Sequence, residues 1–128
     1  MRIFLTKPFA RFVRRERIAD RQLRESVERA ERGLIDADLG AGVIKQRLAR
    51  QGQGRSGGYR VLIAWRKTAR AVFLFGFAKS ARGNIDEDEL ATAREIAQIW
   101  LDADRRALAR ALADGIILEI ANGDEEES

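Results

Sequence analysis

The chain has 128 residues, of which 45% are hydrophobic, and a formal net charge of +4. That is the size of one domain with a real core, and it sets aside a disordered basic peptide. Cysteine and histidine are both absent, which excludes disulfides, thiolate zinc sites and His-dependent triads. A reducing cytosol is then the natural compartment, no cofactor is expected, and acid–base chemistry falls to Lys, Arg, Tyr, carboxylates or the substrate. Ile3-Phe4-Leu5 is too short for a signal core, and no run approaches the roughly 18 apolar residues of a membrane span.

In chain order, Arg2 to Leu5 reads as a short strand. Thr6 offers a cap and Pro8 fits the first turn of a helix that runs to about Arg15. A second helix spans about Ala19 to Arg32, with Leu23, Val27, Ala30 and Leu34 on one stripe and Gly33 ending it. Val43 to Leu48 is a strand. Gln51 to Gly58, with four glycines, reads as a flexible loop. Tyr59 to Arg66 and Ala71 to Lys79 read as two strands of an antiparallel hairpin with a turn at Lys67 to Arg70. Asp86 then caps a long final helix, with Glu89 completing a capping box. Leu90, Ala93, Ala97, Trp100, Leu101 and Leu108 mark its buried stripe. Gly115 ends it, and Ile116 to Ile120 adds a short strand.

This order predicts an α+β domain over residues 1–122. An antiparallel sheet of about four strands packs against two N-terminal helices and one C-terminal helix. Residues 123–128, rich in acids, are expected to form a frayed, disordered tail.

Charge is segregated along this frame. Between Leu39 and Ile85 there is no Asp or Glu, while ten cations fall there: Lys45, Arg47, Arg50, Arg55, Arg60, Arg66, Lys67, Arg70, Lys79 and Arg82. Such a field attracts polyanions, above all nucleic acids. Strand alternation puts Lys45 and Arg47 on one face, and Arg60 and Arg66 on one face of the next strand. Phe73, Phe75, Phe77 and Lys79 share parity in the third. With helices on one face only, Lys45, Arg47 and Arg60 are expected to form an open basic floor. Tyr59 and Phe77 are read either as base-stacking groups or as core. Arg11, Arg14, Arg15 and Arg17 read as a solvated helix face, with backbone contacts to a nucleic acid as the alternative. Gly52, Gly54 and Gly57 match G-x-G-x-x-G, but a strand follows instead of a helix, so a dinucleotide site is rejected.

Several segments together resemble the RelE/ParE superfamily of bacterial type II toxins, nearest its HigB-type branch. They are Lys45-Gln46-Arg47, Gly57-Gly58-Tyr59-Arg60, Phe77-Ala78-Lys79-Ser80, and Asn84-Ile85 before an acid-capped helix. The resemblance implies a toxin that cleaves mRNA on the ribosome and is neutralised by a cognate antitoxin, a small helix-turn-helix protein. It implies Lys45, Arg47, Arg60 and Lys79 as catalytic residues. Arg55, Tyr59, Phe77, Arg50 and Arg82 are implied as RNA contacts. Phe77 stands where relatives often have Tyr, so a phenol's proton is missing there. RNA supplies its own nucleophile, the 2′-hydroxyl. Arginines can hold the phosphate by bidentate hydrogen bonds, and a lysine crowded by cations can act as base, with Lys45 and Lys79 the candidates. Arg50, Arg66, Lys67, Arg70 and Arg82 read as the field that draws RNA in. A homodimer or a toxin–antitoxin heterotetramer is compatible, and no membrane partner is expected. A ParE-like, non-enzymatic gyrase inhibitor and a non-toxic nucleic-acid-binding protein are the alternatives.

Overall fold

Ile3, Phe4 and Leu5 are all buried, so the first strand is covered on both faces, and this property decides the architecture. In the computed structural model residues 1–50 and 54–120 are described, the side chains of 54–56 excepted. The elements are β1 (Arg2–Thr6), α1 (Lys7–Glu16), α2 (Asp20–Glu31), β2 (Ala37–Gly40), β3 (Val43–Arg50), β4 (Gly54–Arg66), β5 (Arg70–Ala78), α3 (Glu87–Asp102), α4 (Arg105–Ala113) and β6 (Ile117–Ile120). Six strands form one sheet in the order β2-β3-β4-β5-β1-β6. β1 runs parallel to β5, and the other pairs are antiparallel.

The fold class is α+β as expected, but the sheet is larger and mixed. β1 lies between β5 and β6. The helices also divide between the faces. α1 and α2 cover one, over Phe9, Leu23, Val27, Ile63 and Phe73. α3 and α4 cover the other, over Phe4, Leu62, Val72, Ala97 and Leu108. The expectation of one uncovered face is therefore corrected: a basic floor exists only where the second layer stops short.

Local signals account for most element ends. Thr6 accepts from the Phe9 N–H at 3.4 Å, and Asp86 and Glu89 form the reciprocal box, at 2.8 and 3.1 Å. The long final helix is two helices. Ala103 is extended at ψ 130°, and Asp104 starts α4 by accepting from the Ala107 N–H at 2.8 Å. The break exposes carbonyls at the end of α3, and two sheet arginines take them. Arg70 donates to the Trp100 and Ala103 oxygens, both at 2.7 Å, and Arg66 to the Leu101 oxygen at 2.8 Å. The glycine-rich stretch is also shorter than expected as a loop. β4 begins at Gly54, opposite Arg50, because the ladder with β3 supplies hydrogen bonds that composition alone does not reveal. Residues 121–128, which include the expected acidic tail, lie outside the described residues.

Candidate nucleic-acid interface

The candidate residues sit on β3, β4 and β5, and their positions follow from register. Lys45 is opposite Leu62, which is opposite Phe75. One step along, Arg47 is opposite Arg60, which is opposite Phe77. Residues opposite one another share a face. Both rows therefore lie on the α3 side of the sheet.

β5 joins these rows only because of a bulge. Ile63 pairs with Phe73 and Leu62 with Phe75, so Leu74 is an extra residue. Upstream of it, Phe73 faces α1 and stacks at 5.0 Å from Phe9. Downstream, Phe75 packs in the α3-side core and Phe77 lies 6.1 Å from it. The shared parity expected for Phe73, Phe75, Phe77 and Lys79 is thus broken at Leu74. The extra residue turns Phe77 and Lys79 to the face that carries Arg60, the re-aiming that bulges perform beside functional sites. The Lys79 N–H donates to the Gly58 carbonyl at 3.0 Å, which fixes its backbone beside β4.

Arg47 and Lys79 are exposed, Lys45 is half-buried, and Arg60 is only 7% exposed. Arg60 reaches the Tyr59 carbonyl through Nη1 at 3.4 Å. Two arginines directly opposite each other cost stability, as like charges on facing strands do. Among the described residues no carboxylate is bonded to the side chain of Lys45, Arg47 or Lys79. Charge that could have been neutralised has been left available.

Acids from outside the basic stretch meet its backbone and its framework cations. Asp36 accepts from the Arg47 N–H at 2.7 Å, and Arg29 donates to the Arg47 carbonyl at 2.8 Å. β2 pairs only as far as Lys45, so these two side chains take over the edge of β3 where β2 stops. Beneath them Gln46 is fully buried. It donates to the Ser26 and Leu34 carbonyls at 2.9 and 3.1 Å and accepts from the Asp36 N–H at 2.8 Å. Asp36, Arg29 and Gln46 thus position Arg47. Nothing in the sequence reading singled these three out, because their roles depend on contacts between distant segments.

The remaining cations divide by role. Arg82 makes a bidentate pair with Glu89, donates to the Asn84 carbonyl at 3.0 Å and lies over the Phe77 ring at 5.3 Å. The Arg82 hydrogen bond, then the backbone bond at Asp86, hold the Glu89 carboxyl down at about 2. Arg66 and Arg70 hold α3, as described above, so three of the five cations read as a recruiting field also serve the framework. Arg50 lies over the Tyr59 ring at 5.6 Å and donates to the Ser80 hydroxyl at 3.2 Å. Tyr59 and Phe77 are core residues, at 4% and 6% exposure. Tyr59 meets Phe12 edge-on at 5.5 Å, so its ring has no face free for a base. Burial, then the hydrogen bond and charge of Glu16, push its hydroxyl above the ordinary value, with Arg50 opposing. The side chain of Arg55 lies outside the described residues.

The family model for the RelE toxin of the RelE/RelB toxin–antitoxin system matches residues 1–120, every element from β1 to β6. The chain belongs to the RelE toxin family. No curated protein matches it. This RelE toxin is thus one half of a toxin–antitoxin system, and its partner is an antitoxin. No helix among the described residues of this RelE toxin is long and apolar enough to cross a membrane.

Proposed function

We propose that this toxin is a ribosome-dependent mRNA endoribonuclease of the HigB-type branch. The Gly-Gly-Tyr-Arg and Phe-Ala-Lys-Ser segments support the branch. The observation that carries the activity is the row of Arg47 opposite Arg60, on one face with Lys45 and with Lys79 beside Gly58, in a stretch that contributes no carboxylate.

The chemistry asked of that row is in-line attack by a 2′-hydroxyl on the adjacent phosphorus. The 2′-oxygen–phosphorus bond forms and the bond to the 5′-oxygen breaks. One lysine of the Lys45/Lys79 pair takes the 2′-hydroxyl proton and the other delivers one to the departing 5′-oxygen. Arg60 and Arg47 hold the nonbridging oxygens as charge gathers on them. Preorganised donors of this kind lower barriers by several kcal/mol when they aim at the transition state. Phe77 has no proton to give, so it supports Arg60 from the neighbouring strand. Arg50 and Arg55 contact the RNA beyond the reacting phosphate. The ribosome, on this reading, holds the codon in line and supplies what the row lacks.

The test is cleavage of mRNA by the purified toxin, with and without ribosomes, read by primer extension alongside growth on induction. Cuts that need the ribosome, together with growth arrest, are expected. Intact mRNA with normal gyrase supercoiling and no arrest would sink the toxin-nuclease reading. Intact mRNA with blocked supercoiling would replace it by the ParE-like one.

A further inference from the structure

The bulge on β5 does more than turn Phe77. Leu74 and Phe75 are consecutive, yet both belong to the core on the α3 side, because the extra residue breaks the alternation of faces. Beside them a groove of about 440 Å³ is left open between α1 and α3. Pro8 lines it from α1, Leu74 and Phe75 from β5, and Ile85, Ala93 and Ile96 from α3 and the residue before its cap. Its remaining lining side chains are Asp88, Glu89 and Thr92, all on the first half of α3.

This groove adjoins the row of Arg47 and Arg60. Phe77 is opposite Arg60, and Phe75 is two residues along the same strand, so strand geometry puts Phe75 about 8 Å from Arg60. Arg82 spans the two: it lies over the Phe77 ring and binds Glu89, which lines the groove. That pairing neutralises Glu89. Asp88 is exposed, and among the described residues no cation or N–H is bonded to its carboxylate. The groove therefore combines apolar walls, a cation on the side of Arg60, and one carboxylate without a protein partner.

We propose that this groove takes a guanine base of the RNA strand that crosses Arg60. The proposal deepens the nuclease reading above and rests on it. Proteins read single-stranded RNA by packing splayed bases on side chains and bonding their Watson–Crick edges. A carboxylate can only accept. The guanine edge sets N1–H beside the exocyclic amino group, two adjacent donors for the two oxygens of Asp88. Adenine and cytosine set one amino group beside an acceptor nitrogen, and uracil sets one N–H between two carbonyls. Each of those three turns a lone pair toward the carboxylate. The base packs against Phe75, Pro8 and Ile96, and the phosphate leading into the groove lies beside Arg82. An apolar peptide side chain would fill the walls but use neither Asp88 nor the neighbouring cations.

The experiment follows the Ile85 and Ile96 methyl signals of the full chain by NMR during titration with 2′-O-methylated dinucleotides of guanine, adenine, cytosine or uracil. The blocked 2′-hydroxyl prevents cleavage. The guanine dinucleotide should shift both methyls through its ring current and bind at least tenfold more tightly than the other three. Asp88→Asn should abolish that preference. Thr92→Trp, which fills the groove, should weaken guanine binding at least tenfold. Cuts mapped on ribosome-bound mRNA should fall beside guanine for the wild type and lose that bias in Asp88→Asn. Unshifted methyls, equal affinity for all four dinucleotides, or a preference that survives Asp88→Asn would overturn the proposal. So would shifts caused only by the purified protein encoded by the adjacent gene, which would give the groove to a polypeptide. Guanine-selective shifts without any cleavage would sink the nuclease reading and keep the groove as a guanine site. Cleavage without selective shifts would keep the nuclease and remove the groove.

Discussion

The Thr6 hydroxyl donates to the Leu74 carbonyl at 3.1 Å. Leu74 is the extra residue of the β5 bulge, so its carbonyl lies where the ladder is disturbed. The same hydroxyl accepts from the Phe9 N–H at the start of α1. One side chain therefore caps a helix and steadies the bulge that turns Phe77 and Lys79 toward Arg60.

Thr6→Val should remove both bonds. Loss of the cap costs about 1 kcal/mol and a stranded carbonyl about 1–3 kcal/mol more, so a loss of roughly 2–4 kcal/mol is expected. Thr6→Ser should recover most of it. Urea midpoints at constant m-value measure the difference, and a Thr6→Val midpoint equal to wild type would remove this account of the bulge.

Arg60→Lys keeps a charge but loses the planar fork. Cleavage of ribosome-bound mRNA should fall about 100-fold, in the range seen when one preorganised donor is lost. An unchanged melting temperature would separate chemistry from folding. Undiminished cleavage would take Arg60 out of the site.

Asp36 acts through the backbone of Arg47. Asp36→Ala should cost less than about 1 kcal/mol, the worth of one partly exposed hydrogen bond. Cleavage should nevertheless drop several-fold, and Asp36→Asn, which keeps an acceptor, should restore much of it. If Asp36→Ala cleaves like wild type, the clamp on the Arg47 backbone has no bearing on activity.

The Glu89 carboxyl is held down at about 2 by Arg82 and the capping bonds. Its folded value lies below its unfolded one, so its contribution is present above about 4.5 and fades as pH falls toward 2. Glu89→Gln should therefore flatten the fall in melting temperature across that window. Because the pair is exposed, added salt should shrink the effect. Parallel wild-type and Glu89→Gln curves would exclude this linkage.

Arg70 tests whether a cation of the basic stretch serves the framework. Burial, then Arg66 and Arg2, lower the pKa of its guanidinium, and it holds two carbonyls at the α3–α4 break. Arg70→Met should destabilise the fold by about 1–3 kcal/mol. The salt slope of RNA binding should stay the same, since no phosphate contact is lost. A shallower slope would return Arg70 to the RNA-binding surface.

Much of the chain's plan can be read without coordinates, where the physics is local. The Thr6 and Asp86 caps, the α2 stripe of Leu23, Val27 and Ala30, the β4–β5 hairpin and the alternation of Lys45 and Arg47 all depend on neighbours in sequence, whereas Leu34, expected on the same stripe, lies past the helix end and is exposed. Asp104 was an equally local cap signal, hidden because apolar spacing runs on across the break at Ala103 and imitates one helix.

The charge pattern by itself determined that a cationic surface would form around Lys45, Arg47 and Arg60, because acids are missing from that stretch whatever its fold. Tertiary structure alone decided which cations stay open. The parallel placement of β1 lets helices cover both faces, and the carbonyls at the end of α3 claim Arg66 and Arg70. One residue of slip at Leu74, invisible to a strict period of two, carries Phe77 and Lys79 to the side where Arg60 waits. Strand parity is a local rule, but its phase is set by pairing with a partner strand, and pairing is long-range.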